Sequence, residues 1–256
     1  MDEQRRTRHG RSFGPVADSY DRARPSYPVD AVSWMVGSTP RRVLDLGAGT
    51  GALTRLLVAA RHAVLAADPL PEMLGHLRRR SREATDTLRV VAAAAEQLPL
   101  RDHVVDAVTV AAAYHWFDEG RAVPELARVL RPGGTLAMVW NVRDETVPWV
   151  RRLSETIGHS ADLPDPSGTL GLSGAFGPVE WARFRLYQPV DRAMLLDLVR
   201  SRSYVAVLPP AEREDVLTRV GQLYEHQRGD TLGLQLPYVT HCLRAVRLGR
   251  ARLGEG

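Results

Sequence analysis

Apolar and polar positions along the first half of the chain form a regular series of short apolar runs and amphipathic segments. The apolar runs predict buried strands at 42–46, 63–67, 88–92, 106–112 and 135–140. The amphipathic segments predict helices at 29–36, 52–60, 71–82 and 121–130. Strands that alternate with helices form βαβ units, so we expect a largely parallel sheet with helices on both faces.

The pattern changes after residue 141. A helix is predicted at 149–158, within a stretch that continues as a loop rich in Pro, Gly and Ser up to residue 176. Apolar and polar positions then alternate at 179–187 and again at 231–239, which predicts two strands, the second partly exposed. Helices are predicted between these strands, at 192–202 and 211–227.

Composition is that of an ordinary globular chain. Of 256 residues, 44% are hydrophobic and 25% are charged, which fits one α/β domain over residues 1–256. No apolar run approaches the ~18–20 residues that span a bilayer, and the Arg-rich start does not resemble a secretory signal, so we expect a cytoplasmic protein without a membrane partner. A single cysteine excludes an intramolecular disulfide and a cysteine-based zinc cluster, and no metal site is predicted.

The positive charge of the chain is spread out. All 34 basic residues are Arg, the net charge is only +4, and acidic residues lie among the basic ones along the whole sequence. Such a distribution does not predict a concentrated phosphate-binding face, so we expect no nucleic-acid partner.

The turn after the first strand is the most informative local pattern. Gly47, Gly49 and Ala52 follow a strand and open a helix, at the edge of a parallel sheet where ligands bind. This spacing also satisfies the dinucleotide motif, so an NAD-dependent oxidoreductase is an alternative interpretation. Asp68 ends the second strand and can bind ribose hydroxyls in either class of protein.

Other residues separate the two classes. Asp45, two positions before the first glycine, would repel a pyrophosphate but would suit the ammonium group of an amino acid. Residues 94–99, after the third strand, can hold an adenine. The absence of Lys excludes the Tyr-x-x-x-Lys pair of many oxidoreductases.

Taken together, these motifs resemble those of class I S-adenosylmethionine-dependent methyltransferases, in the small-molecule "type 11" branch. The matching segments cover about half of the chain in the expected order: FGPVADSYDRARPSYP (13–28), VLDLGAGTGALT (43–54), AADPLPEML (66–74), AAAEQLPL (93–100), VDAVTVAAAYHWFD (105–118) and ARVLRPGGTLAMVWN (127–141). The resemblance implies a Rossmann-like, seven-stranded, mostly parallel sheet with an antiparallel last strand. The last hairpin would consist of 179–187 and 231–239.

The resemblance also implies a role for individual residues toward S-adenosylmethionine. The methionine part would be held by residues of the first turn and the lid, namely Asp45, Gly47, Ala48, Gly49, Thr50, Gly51, Tyr20 and Arg24. The nucleoside would be held by Asp68, Pro69, Met73, Ala95, Glu96 and Ala112. Ala94 departs from the family, in which Asp or Thr is common at that position, so the adenine amino group would depend on Glu96 or water.

Methyl transfer depends more on alignment of the acceptor with the methyl group than on an acid or base supplied by the protein. His115 follows the fourth strand and is a candidate general base, although it could equally pack the pocket floor. Tyr20 is a second candidate catalytic residue and would cap the methionine end of the cofactor. Segments 1–28 and 142–230 are expected to act as lid and cap and to select a small-molecule acceptor of the kind found in secondary metabolism.

Several alternatives remain at this point. A member of the family could bind the cofactor without transferring a methyl group, and RNA methylation is a less favoured possibility. The acceptor atom (oxygen, nitrogen or carbon) is open, as is the choice between monomer and homodimer.

Overall fold

A computed structural model describes residues 24–82, 86–158, 164–202, 205, 207–230 and 232–249. Its strands, in chain order, are β1 Arg42–Leu46, β2 Ala63–Asp68, β3 Leu88–Ala92, β4 Val105–Ala111, β5 Leu130–Arg143, β6 Glu180–Val190 and β7 Leu234–Val246. Its helices are α1 Val29–Val36, α2 Ala52–Ala59, α3 Pro71–Arg80, α4 Glu119–Val129, α5 Pro148–Ile157, α6 Ser167–Leu172, α7 Arg192–Arg200 and α8 Pro210–Arg228.

The strands form one seven-stranded sheet in the order β3-β2-β1-β4-β5-β7-β6. The pairs β1–β2, β1–β4, β2–β3 and β4–β5 are parallel. Strands β2 and β3 are added on one side of β1, and β4 and β5 are added on the other side, so the strand order reverses between β3 and β4. This reversal lies beside β1, so the carboxyl ends of β1 and β4 flank the crevice where a ligand of such a sheet binds.

β7 enters the sheet antiparallel to β5. Gly133 N donates to Arg247 O, and Asp144 N donates to Pro237 O, so residue numbers fall along β7 as they rise along β5. The predicted fold class, a mostly parallel Rossmann-like sheet with antiparallel last strands, is confirmed.

The described residues group into two compact units. The sheet unit comprises 27–82, 86–140, 164–183 and 241–249, and its core is made by β1, β4, β5 and α4. The helical unit comprises 24–26, 141–158, 184–202, 205, 207–230 and 232–240. Its core is formed by α5, α7, α8, the end of β6 and the beginning of β7. The single domain expected over 1–256 stays a prediction.

Most predicted elements lie within two residues of the observed ones, but three expectations were wrong. The last strand covers Leu234–Val246 rather than 231–239, and it is mostly buried because Leu236 and Tyr238 pack in the core of the helical unit and Leu243 and Ala245 in that of the sheet unit. The fifth strand covers Leu130–Arg143 rather than 135–140, with a register shift against β4 near its start. The short helix α6 lies in the stretch predicted as a loop.

Candidate cofactor site

The turn between β1 and α2 depends on glycine for two different reasons. A Cβ on Gly47 would lie 2.5 Å from Ala113 Cβ, and one on Gly51 would lie 2.8 Å from Leu77 Cγ, so both positions are closely packed. Among the described residues, no atom lies within 4 Å of the corresponding position at Gly49, which borders open space there. All three have positive φ angles, which an L-residue adopts only at a cost. Only Gly49 therefore leaves room for a ligand beside the main chain.

Asp68 is fixed at the carboxyl end of β2, beside this open space. Its Oδ2 accepts a hydrogen bond from Gly49 N at 2.9 Å, and its Oδ1 accepts one from Leu70 N at 2.9 Å. Burial raises the pKa of Asp68, and the two backbone N–H groups lower it. The arrangement gives a carboxylate of fixed orientation, as recognition of two neighbouring hydroxyls requires.

Asp45 lies deeper, on β1, and is 1% exposed. Its Oδ1 accepts from Thr109 Oγ1 at 3.0 Å on β4, and its Oδ2 accepts from Thr54 Oγ1 at 2.5 Å on α2. Burial raises its pKa to about 6, the two threonine hydroxyls lower it, and the charge of Asp68 raises it further. A carboxylate whose ionisation is disfavoured by burial and by a second carboxylate fits a ligand that carries positive charge.

The loop after β3 makes a tight turn. Gln97 N donates to Ala94 O, and Ala95 within the turn is buried. Glu96 accepts a hydrogen bond from Asp118 N at 2.8 Å, which joins this loop to the segment before α4. Met73, on α3, is 6% exposed, and Pro69 is exposed just after β2.

Helix α4 fastens the continuation of this loop. Arg128 donates to Leu98 O at 3.1 Å and to Leu100 O at 2.7 Å. Glu125, which pairs with Arg128 at 2.7 Å, accepts from Leu98 N at 2.7 Å. Hydrogen bonding and the charge of Arg128 hold the pKa of Glu125 below its usual range. We call this group of four residues the Arg128 clamp.

The end of β4 holds an unusual backbone conformation. Ala112 has φ 51°, a value that is rare for a residue with a side chain, and its N–H donates to Val139 O at 2.9 Å. Such strain is concentrated at functional sites. His115 follows in a 3-10 helix over Tyr114–Trp116; it is exposed, and its ring lies 4.6 Å from the ring of Trp116.

The structure brings most of the predicted site residues to one edge of the sheet unit. Asp45, Gly47, Ala48, Gly49, Thr50, Gly51, Asp68, Pro69, Met73, Ala95, Glu96, Ala112 and His115 all follow or end strands β1 to β4, or begin the next helix. Tyr20 lies outside the described residues. Arg24 belongs to the helical unit, so its predicted pairing with the cofactor carboxylate stays a prediction.

Sequence reasoning missed the residues that support Asp45. Thr54 and Thr109 are both fully buried, and their hydroxyls take both oxygens of the carboxylate. A threonine facing the core of a nearly all-apolar strand, as Thr109 does in β4, is the signal that could have indicated a partner.

The fold defines a Rossmann-like protein whose candidate site contains two carboxylates, on β1 and at the end of β2. Comparison with known proteins specifies the class. A family model described as "Methyltransferase domain" matches residues 44–138. An uncharacterized methyltransferase of Mycobacterium tuberculosis is 46% identical over 244 residues, which cover 92% of this chain and 95% of that protein.

Two further relatives agree. An uncharacterized methyltransferase-like protein of Schizosaccharomyces pombe is 34% identical over 218 residues, 81% of this chain and 83% of that protein. The structure of a putative type II methyltransferase from Anaeromyxobacter dehalogenans has a TM-score of 0.67 at 25% identity, and the match covers 88% of this chain and 97% of that one. The chain belongs to this methyltransferase family and is an S-adenosylmethionine-dependent methyltransferase.

This assignment displaces the oxidoreductase alternative.

Among the described residues, no helix has both the length and the apolar character needed to cross a bilayer.

Proposed function

We propose that the chain transfers a methyl group from S-adenosylmethionine to a small-molecule acceptor, in a reaction of the kind found in secondary metabolism. The observation that carries this proposal is Asp68, which accepts a hydrogen bond from Gly49 N beside the open space at that glycine, together with Asp45, buried on β1 just before the same turn. The bound cofactor would supply an activated methyl group on a positively charged sulfur. Its ammonium and sulfonium charges suit a site in which burial and the charge of Asp68 raise the pKa of Asp45.

The residues divide between the two ends of the cofactor. Asp68 would accept hydrogen bonds from the two ribose hydroxyls, while Pro69 and Met73 would flank the adenine and Ala95 and Glu96 would meet its edge. Asp45 would attract the ammonium group, directly or through water. The remaining positions of the first turn, together with Ala112, would line the space occupied by the methionine part of the cofactor.

The first test is calorimetric titration of the full chain with S-adenosylmethionine, S-adenosylhomocysteine and NAD in parallel. We expect micromolar binding of the two sulfur compounds, about −8 kcal/mol, and no binding of NAD. Binding of NAD alone would contradict the proposal. The sulfur compounds could also bind without any conversion of S-adenosylmethionine to S-adenosylhomocysteine when pools of acids, phenols or amines are offered as acceptors. That result would favour a member of the family that does not methylate.

His115 is proposed to receive a proton when the acceptor is a neutral hydroxyl. Once an acceptor is found, His115→Ala is expected to keep cofactor affinity and to lower turnover by about 10²- to 10⁴-fold, the usual contribution of a positioned base. For an acceptor that ionises by itself, the difference in turnover between the parent chain and His115→Ala should become smaller as pH rises. His226→Ala, on the exposed face of α8, is the matched control. Unchanged turnover in His115→Ala would leave His115 with a packing role against Trp116.

A further inference from the structure

The connection between β3 and β4 differs from the other connections between parallel strands of the sheet. β1 is joined to β2 through α2, β2 to β3 through α3, and β4 to β5 through α4. Residues 93–104, which join β3 to β4, contain no helix. A right-handed connection at this point would place a helix on the same face of the sheet as α4. That face therefore lacks one covering element beside β2 and β3.

The burial of one row of side chains across the sheet shows the effect. Leu44 on β1 is in register with Leu65 on β2 and with Val108 on β4, and Leu65 is in register with Arg89 on β3. Leu44 and Val108 are fully buried, whereas Leu65 is only half-buried. Arg89, at the end of the row, is exposed. Apolar surface of the sheet is therefore accessible at Leu65.

A cleft of about 400 Å³ lies at this place. Among the described residues, eleven line it, and seven of these are apolar, including Leu65, Leu100 and Val104. A cleft of this size with a mainly apolar lining is typical of a small-molecule site. Arg128 holds the carbonyl of Leu100, so this wall of the cleft is formed before any ligand binds.

The cleft and the candidate cofactor site lie at opposite ends of the parallel strands. On β2, Ala63 begins the strand and lines the cleft, while Asp68 ends the strand beside Gly49. A strand rises by about 3.3 Å per residue, so these two ends are roughly 17 Å apart. A ligand of the cleft is therefore distinct from the cofactor and from the compound that receives its methyl group.

Arg42, which lines the cleft, shares its carboxylate partner with a second arginine. Arg131 Nη1 donates to Asp106 Oδ1 at 2.8 Å, whereas Arg42 Nε lies 3.7 Å from Asp106 Oδ2, beyond hydrogen-bond distance. The side chain of Arg42 is 48% exposed. The two other charged residues of the lining, Arg89 and Asp86, are of opposite sign. One carboxylate thus serves two guanidinium groups, which leaves an excess of one positive charge at the cleft.

We propose that this cleft binds a small carboxylic acid with an apolar body. The apolar body would pack on Leu65 and Leu100, and the carboxylate would pair with Arg42. Removal of apolar surface from water would supply most of the affinity. An exposed ion pair contributes little, but it selects the acid over the corresponding alcohol. The proposal does not depend on methyl transfer.

The experiment is an NMR titration of the ¹⁵N-labelled full chain with octanoate, in which assigned backbone amide signals are followed. We expect saturable shifts with a Kd of about 1 mM or lower, as for a good ligand of this size. The shifted signals should come from residues 63–65, 87–89 and 100–105. Shifts that do not saturate, or that centre on 47–51 and 68–70, would overturn the proposal.

Octanol has a similar apolar chain without a carboxylate and tests the role of the charge. It should bind about threefold more weakly than octanoate, which is the size expected of an exposed ion pair. Arg42→Gln should lower the affinity for octanoate by about threefold and leave that for octanol unchanged. Equal affinities of the parent chain for the two compounds, or equal losses of both in the variant, would overturn the proposal because no carboxylate would then be recognised.

Leu100→Ala tests the apolar wall. The variant keeps the carbonyl that Arg128 holds and should bind both compounds about fivefold more weakly or worse, because apolar contact is lost. Leu172→Ala removes an exposed leucine from the same unit and should change neither affinity. Unchanged affinities in Leu100→Ala would overturn the proposal. Thermal unfolding checks that each variant folds, and the comparison of octanol with Arg42→Gln remains decisive if Leu100→Ala does not.

Titration in the presence of S-adenosylhomocysteine separates this inference from the proposed function. Saturation with S-adenosylhomocysteine should leave octanoate binding in place, because the two sites lie at opposite ends of β2. Mutual exclusion of the two compounds would place octanoate at the cofactor edge and overturn the proposal. Octanoate binding at the cleft without any binding of S-adenosylhomocysteine would support the cleft and contradict the proposed function instead.

Discussion

Asp68→Ala is expected to lower the affinity for S-adenosylhomocysteine by at least about a hundredfold while the chain still folds. Each hydrogen bond from a ribose hydroxyl to a carboxylate contributes roughly 1.5–3 kcal/mol, and Asp68 is oriented for two of them. The fold should survive because burial already disfavours the ionised carboxylate, as its raised pKa indicates. Calorimetry measures the affinity, and thermal unfolding checks the fold.

Two further variants make this result specific. Asp68→Asn keeps one oxygen acceptor and should lose less affinity than Asp68→Ala. Asp86→Ala removes an exposed carboxylate from the same unit and should bind as the parent chain does. Near-parent affinity in Asp68→Ala would contradict the placement of the ribose at the end of β2.

Asp45→Asn is expected to make folding stability less dependent on pH and, at neutral pH, to increase it in the absence of cofactor. The carboxyl of Asp45 has a pKa of about 6 in the folded chain, above the ordinary value of 3.8. The folded state therefore binds this proton more tightly than the unfolded state. The resulting stability is fully present below about pH 4 and is lost as pH rises through about 6.

The size of this change in the free energy of unfolding follows from the same rise in the pKa of Asp45. Two pH units correspond to roughly 3 kcal/mol, an order-of-magnitude figure for a fully buried group. Urea unfolding of parent and variant at several pH values from about 4 to 8 gives the difference directly, because the other titrating groups are common to both. A constant difference across this range would show that Asp45 does not titrate there.

The same variant should weaken cofactor binding, because it removes the charge that would attract the ammonium group. Stability and affinity are therefore expected to change in opposite directions at neutral pH. Thr54→Val provides the comparison, since it removes a hydrogen bond to Asp45 but keeps the carboxylate. If Asp45→Asn lost both stability and affinity, the carboxylate would be required by the fold itself.

Much of the sheet could be predicted from the sequence because its parallel strands are short and apolar. The run 42–46 coincides with β1, and 88–92 coincides with β3. β7 was harder because Leu232, which completes the apparent alternation with Leu234 and Leu236, is fully exposed outside the strand. Alternation indicates one exposed face, whereas β7 is buried for most of its length because it contributes Leu236 to the core of the helical unit and Leu243 to the core of the sheet unit.

The candidate site was predictable only in part. The motif identified the three glycines of the first turn but not their different roles. Gly47 and Gly51 are needed because Ala113 and Leu77 leave no room for a Cβ, whereas Gly49 faces open space among the described residues.

The Arg128 clamp has a consequence for the entropy of cofactor binding. A loop that closes over a ligand from a flexible state loses about 1–2 kcal/mol of backbone freedom for each residue that becomes ordered. Residues 98–100 are held to α4 by Arg128 and Glu125 without any ligand. Their freedom is already lost when the chain folds, so an adenine bound as proposed would meet a loop that is partly preorganised, and more of the contact energy would be retained as affinity.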